Sequence, residues 1–322
     1  MKIDKFVAAI VVIIALAYIF PHFGSGDSGT VLNWIGSLGI SLIFFFYGLK
    51  LSINQMFSGL KNWKLHVLVQ GSTFLLFPMI VITTYPFVEG DSVEILWLAF
   101  LFLSALPSTV SSSVVMVSLA KGNVPAAIFN ASISGLIGIV VTPIWMGLFL
   151  KTSDADFSLS EVYLKLLLQI LLPVILGLFL QQYFGKFARK FASQLTLFDK
   201  SIILLIIYNS FAESFDQGLF TLVKAMDLVL VGVGVIMLFL ILYNITGYLS
   251  RLFQFDKQDQ ITTQFCGTKK SLVHGTVFSK VLLPESLALG VMLLPLMLFH
   301  AFQILIISII ANRIARESSN NK

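Results

Sequence analysis

Two adjacent lysines, Lys269 and Lys270, stand in the stretch FCGTKKSLVHG (265–275), between two long apolar runs. A charge at a bilayer centre costs about 2.5–3.5 kcal/mol on insertion scales, so ionisable groups there are kept for function or pairing. An ammonium in such a place can fix an anion, stand where a metal cation would sit, or carry a proton. A plainer reading is a shallow helix end with snorkelling side chains. Neighbours on a helix point about 100° apart, however, so both cannot snorkel the same way.

A second polar stretch, PSTVSSS (107–113), offers different chemistry. Pro107 breaks a helix and frees a carbonyl, which membrane proteins tolerate only beside protein or a water-lined cavity. Ser108, Thr109, Ser111, Ser112 and Ser113 add five hydroxyls, more than small-residue helix packing requires. Asn130, in the next apolar run, offers a carbonyl oxygen to a cation and an amide to an anion; an interhelical hydrogen bond is the competing reading. Gln70 and Thr73 are open in the same way. Around the lysines, Gly267 marks a second break, flanked by Thr268 and Ser271. Glu213, with Asn209 and Ser210, reads as a mouth residue or a partner for Lys224. His274, His300 and Gln303 lack metal-ligand spacing and read as satisfied interior groups.

The elements that must position these groups are membrane helices. Of 322 residues, 57% are hydrophobic and 11% charged, whereas a soluble domain carries about 25% charged residues. The apolar runs are continuous, which excludes a β-barrel. One cysteine, Cys266, excludes an internal disulfide framework. The first run follows Lys2 and Lys5 but lacks a small-x-small cleavage site, and so reads as an uncleaved span. The basic balance is explained by loop charge rather than by nucleic acid. Since a span needs about 20 apolar residues, nine runs stand out near 5–20, 34–53, 66–86, 94–120, 124–150, 162–184, 200–216, 222–249 and 286–312.

Loop charge decides the remaining segment. Cationic connections (Lys2, Lys5; Lys50, Lys61, Lys64; Lys121; Lys186, Arg189, Lys190, Lys200; Arg251, Lys257) alternate with acidic ones (Asp27; Glu89, Asp91, Glu94; Asp154, Asp156, Glu161; Asp216). The cationic set belongs in the cytoplasm. Arg251 and the terminal Arg313, Arg316 and Lys322 then lie on one side, so the polar segment 259–283 must cross once between them. Ten spans follow, with both termini cytoplasmic. The fourth and ninth spans are both broken, and each continues to a lysine four residues before a proline (Lys121 and Pro125; Lys280 and Pro284). The next helix in each half also contains a proline, Pro143 or Pro295. A repeated five-helix unit must be inverted, because five is odd. Inverted repeats with discontinuous helices are a signature of secondary transporters.

Two enzyme-like strings fail. GSGD (24–27) matches an intramembrane aspartyl-protease string, but it is expected in an outer loop and has no partner aspartate in a span. Ser134–Gly135 lacks the glycine-flanked serine and later histidine base of a rhomboid nucleophile. No enzyme is expected.

FYGLKLS (46–52), LPSTVSSSVVMVSLAKGNVPAAIFNASISGLIGIVVTP (106–143), FCGTKKSLVHG (265–275) and FHAFQILIISIIANRIAR (299–316) together resemble the bile acid:sodium symporter family. They are most similar to its divergent SBF-like branch, which includes many bacterial proteins and the seventh member of human solute carrier family 10. The resemblance covers nearly the whole chain and implies one transporter domain over 1–322, with repeats at about 1–151 and 160–314. It further implies a core of helices 3–5 and 8–10, a panel of helices 1, 2, 6 and 7, and crossed, broken helices 4 and 9. Substrate would lie in the cleft between core and panel, and their relative motion would give alternating access. Sodium-coupled members use a Ser-Asn pair after the fourth-helix break, where this chain has Ser112 and Ser113, or Ser113 and Val114. A shared ninth-helix glutamate falls on Phe265 and a nearby glutamine on Lys269. An ammonium beside sodium is repulsive at short range, so the resemblance implies a vestigial sodium site in which Lys269 replaces at least one ion.

The expectation is therefore an all-α polytopic protein, in a bacterial inner membrane, that moves an organic anion, bile-acid-like or otherwise amphipathic or carboxylate-bearing. It would need no cofactor beyond a coupling sodium ion or proton, with transport uniport-like or proton-coupled, and would bind lipid, no nucleic acid, and a second copy as a homodimer. Candidate binding residues are Ser111, Ser112, Ser113, Asn130, Thr268, Lys269, Lys270, Ser271 and Gln70; Pro107 and Gly267 are the helix breaks. The alternatives are a non-transporting regulator of ion homeostasis and a cation/proton antiporter. The latter needs a membrane-embedded aspartate, and no span has one at its centre.

Overall fold

The structure, a computed structural model, describes residues 5–51, 62–109, 111–150, 159–218, 225–283 and 287–320. The described residues are helical, with no strands among them. The helices are α1 (Lys5–Ile19), α2 (Gly26–Lys50), α3 (Trp63–Gly71, continued by Ser72–Leu76 and Phe77–Ile82), α4 (Asp91–Ala105), α5 (Ser111–Leu119) and α6 (Val124–Phe149). After them come α7 (Leu159–Leu166, Leu167–Leu171 and Leu172–Lys190), α8 (Ala192–Asp216), α9 (Ala225–Leu252), α10 (Lys257–Gly267), α11 (Leu272–Leu282) and α12 (Leu289–Asn320). Seven of these helical stretches are long and apolar enough to cross a membrane, and Lys5–Ile19 and Val93–Ala105 are shorter apolar helices. Large apolar side chains face outward along them, Trp34 at 76% and Phe179 at 71% exposure among them. Only lipid covers so much exposed apolar surface at low cost. The molecule is an integral membrane protein.

Several features differ from those expected of the sequence; for example, Lys186, Arg189 and Lys190 lie within α7 and not in a connection. α2 begins at Gly26, so Gly26 and Asp27 open a helix instead of lying in a loop. α8 begins at Ala192, which puts Lys200 inside a helix with its ammonium 5.1 Å from the Phe6 ring. Lys269 and Lys270 lie in the break after α10 and not on a helix, so the angular argument for neighbouring helical positions does not apply to them. Lys2, Lys61, Asp154, Asp156, Lys224, Pro284 and Lys322 lie outside the described residues, as does the side chain of Ser111.

The contacts divide the chain into two units. The first comprises 1–51, 150–224 and 276–293, and so includes α1, α2, α7 and α8. Here α2 packs along α7, and α8 packs on α1 and α2. Gly48 and Gly177 allow the closest approach, since a Cβ on either would run into the carbonyl oxygen of Val174 or Phe45 respectively. Lys50 closes the end of α2 with an ion pair to Asp199 at 3.2 Å.

The second unit comprises 52–149, 225–275 and 294–322. In it α10 packs on α3, α5, α6 and α9. Proline placement shapes its helices. Pro78 cannot donate to the carbonyl four residues back, and the preceding turn, Ser72–Leu76, widens to a π turn. The freed Phe74 carbonyl accepts Trp145 Nε1 at 2.8 Å. Pro107 restricts the residue before it to extended backbone; Leu106, at φ −72° and ψ 152°, ends α4 there.

Candidate functional site

At the broken helices of the second unit, the backbone accounting is close to complete. A helix end leaves its last four carbonyls without helical partners, and at membrane depth each must find one. The Ala105 carbonyl accepts Thr142 Oγ1 at 2.8 Å and the Pro107 carbonyl accepts the Ser271 N–H at 2.9 Å. In return Ser108 Oγ donates to the Cys266 carbonyl at 2.7 Å, and the Ser108 N–H donates to Ser134 Oγ at 2.9 Å. The two breaks are thus stitched to each other through Ser108 and Ser271. Glycines let the segments approach closely: a Cβ on Gly138 would sit 2.9 Å from the Pro107 ring, and one on Gly275 would overlap Leu106 and Leu296.

The lysines divide between two environments, both with no exposed surface. Lys270 Nζ donates to the carbonyls of Thr73 (2.7 Å), Ser104 (2.5 Å) and Leu106 (2.8 Å). It also lies 4.1 Å from the Phe77 ring centroid. Its backbone is held at both ends by Gln303, whose Oε1 accepts the Lys270 N–H at 2.8 Å and whose Nε2 donates to the Lys270 carbonyl at 2.7 Å. Lys269 Nζ donates to the Ser112 carbonyl at 2.9 Å and reaches Ser112 Oγ at 3.4 Å. Beside it Thr109 Oγ1 lies 2.9 Å from Ser112 Oγ and 2.7 Å from Ser113 Oγ. Thr268 Oγ1 bonds back to the Gln264 carbonyl at 2.6 Å.

Asn130 and Gln70 form a separate pair between α3 and α6. Gln70 Nε2 donates to Asn130 Oδ1 at 3.0 Å, while Asn130 Nδ2 meets His66 Nδ1 at 2.8 Å. Gln70 Oε1 is buried without a hydrogen-bond partner. Among the described residues no hydrogen bond joins this pair to the lysines. His274 and His300 fall among the interior groups: Nδ1 of His274 lies 2.9 Å from Ser271 Oγ, and Nδ1 of His300 lies 3.2 Å from Gln303 Nε2. No cluster of three or more metal-binding side chains occurs among the described residues.

Two groups have positioning roles that the sequence does not assign. Gln303 is one; a lone amide in an apolar helix gives no sign of what it holds. The other is Asp259 at the start of α10. Its carboxylate accepts Asn123 Nδ2 at 2.8 Å and also Asn62 Nδ2. Asn62 accepts the Leu65 N–H and Asn123 accepts the Ala126 N–H, so one carboxylate links the N-terminal caps of α3 and α6. The recurrence of asparagine just before two helices was the available signal.

In the first unit, Glu213 lines a cavity of about 530 Å³ with Asn33, Ser37, Lys165, Gln169 and Lys280. Lys280 Nζ donates to Asn33 Oδ1 at 2.6 Å. Glu213 therefore stands at a polar mouth, and its expected partner Lys224 lies outside the described residues.

Comparison with known proteins decides the family. Residues 4–316 match the SBF-like CPA transporter family. The chain belongs to that family. It is 37% identical to protein PA2026 of Pseudomonas aeruginosa over 313 residues, covering 97% of this chain and 93% of the relative. It is 34% identical to YfeH of Escherichia coli K12 over 316 residues, covering 98% and 94%. Sodium/bile acid cotransporter 7 of Rattus norvegicus is 28% identical over 313 residues, covering 95% and 91%. Membership of the SBF-like CPA transporter family makes the chain a membrane transporter by family, with a small-molecule substrate implied.

Proposed function

We propose that the chain carries a small organic anion, amphipathic or carboxylate-bearing, by alternating access, without sodium as the driving ion, and that it is not an enzyme. The observation that carries this is the pair of lysines buried at the helix breaks, with Lys269 reaching only Ser112 among the described residues. An ammonium has three donors. Lys269 therefore keeps capacity for a ligand carboxylate beside the Thr109, Ser112 and Ser113 hydroxyls. The same ammonium disfavours sodium at that place by direct repulsion. Ser111, Asn130, Thr268, Lys270, Ser271 and Gln70 belong to this site on the same reading, as ligand contacts or as groups that shape it.

The proposed architecture is ten spans in two inverted five-helix repeats, with both termini in the cytoplasm of a bacterial inner membrane, as a homodimer. Paired breaks at 106–109 and 268–271 support the repeat. The grouping of α1, α2, α7 and α8 in one unit and of α3–α6, α9 and α10 in the other is what a panel and a core would require, while 276–293, with most of α11 and the start of α12, groups with the first unit. The relative named sodium/bile acid cotransporter 7 supports an organic anion as cargo.

A thermal-shift screen of an organic-anion library on purified protein, with and without sodium, tests this. A ligand that binds the folded state and not the unfolded one raises the melting temperature. At least one anion is expected to stabilise the wild type equally in both salts and to lose that effect in Lys269→Ala. Stabilisation that needs sodium, or survives the substitution unchanged, would refute the assignment.

A further inference from the structure

The surroundings of Lys270 are those of a monovalent cation site. Three carbonyl oxygens converge on Nζ at 2.5–2.8 Å, and an aromatic face closes the fourth side at 4.1 Å. Three acceptors and no donor face the nitrogen, which matches the three N–H bonds of an ammonium and leaves no lone pair to satisfy. Among the described residues no carboxylate forms an ion pair with it. Carbonyl cages of this kind substitute for the hydration shell of a monovalent ion, and an aromatic face adds cation–π attraction that is strongest when the cation is desolvated.

These oxygens are available because of local backbone breaks in two helices. The Thr73 carbonyl lies within the π turn before Pro78, and the Ser104 and Leu106 carbonyls lie at the end of α4 forced by Pro107. The lysine reaches them from a third segment, the break after α10, and Gln303 of α12 fixes the backbone from which it reaches. One charge therefore joins α3, α4 and the ninth-span break at a single point. Without it, three carbonyl oxygens aimed at one point would repel one another in a low-dielectric interior.

We infer that Lys270 is a tethered cation occupying a latent monovalent-cation site, and that its removal converts the junction into one that takes up sodium or a small alkylammonium. The substrate-facing role given to Lys269 does not enter this inference, and the readout is stability, so it stands whether or not the chain moves an organic anion.

The test uses the full-length protein in lipid nanodiscs and compares wild type, Lys270→Ala and Lys270→Met. Melting temperatures are read in choline, which is too large for the cage, and then in sodium, potassium and methylammonium. Wild type should melt at the same temperature in all four salts. Lys270→Ala should melt lower in choline and recover most of the loss in sodium or methylammonium. Lys270→Met should be lowered without recovery, because its side chain still fills the path to the cage. If Lys270→Ala folds only when purified in methylammonium or sodium, the yield of folded protein replaces the melting temperature as the readout. An alanine variant as stable as wild type in choline, equally unstable in every salt, or never recovered by any of these cations would overturn the inference.

Discussion

At the scale of single residues, the junction depends on amides and hydroxyls that satisfy backbone groups, and their removal should cost more than their size suggests. Gln303→Ala leaves the Lys270 N–H and carbonyl buried without partners. An unsatisfied buried polar group costs about 1–3 kcal/mol, so a clear drop in melting temperature is expected. A melting temperature unchanged from wild type would show that water or a neighbour replaces the amide at no cost. Lys269→Ala should behave differently: loss of a hydrogen bond to a charged ligand group is worth about 1.5–3 kcal/mol, roughly tenfold or more in anion affinity. The sequence exposed the chemistry-bearing types at this scale, Lys269, Lys270 and the serines, because charge and hydroxyls stand out in apolar runs. It did not reveal their partners. Hydropathy reports that a residue is buried but not which carbonyl it meets, so Gln303 and Asp259 passed as ordinary, and Lys270 could not be told from Lys269.

At the scale of elements, prolines set where the helices open and glycines set how closely they approach. Pro107 was legible as a break, since a proline followed by hydroxyls in an apolar run leaves little else. The π turns just before Pro78 (Ser72–Leu76) and Pro173 (Leu167–Leu171) were not read from the sequence, because a proline in a helix is compatible with a kink, a bulge or a first-turn position. Glycine contacts were equally hidden, depending on which helices become neighbours. They yield a direct comparison. Gly177→Ala places a methyl against the Phe45 carbonyl between α7 and α2, whereas Gly232→Ala on α9 meets nothing within 4 Å. Overpacking costs about 1–3 kcal/mol, while alanine in an open helix position gains about 0.5–1 kcal/mol over glycine. Circular-dichroism melts should therefore place Gly177→Ala below wild type and Gly232→Ala at or above it. The reverse order would mean that α2 and α7 do not approach as described.

At the scale of the whole molecule, composition alone declared a membrane protein, and family membership made it a transporter. The proposed ten spans come from adding loop charge to hydropathy: seven described helices meet an apolar-length criterion, α1 and α4 are too short for it, and the proposed ninth crossing is too polar. Orientation is open to measurement, because the single cysteine, Cys266, is buried. In intact cells a membrane-impermeant thiol reagent should label Glu89→Cys and spare Arg251→Cys. Labelling of the second and not the first would invert the topology. The most direct test of the central claim is uptake of the anion that stabilises the purified protein, measured in reconstituted vesicles with sodium and with choline. The proposed sodium-independent lysine site predicts the same initial rate in both salts for wild type and loss of that uptake in Lys269→Ala. A wild-type rate that rises steeply with sodium would contradict it.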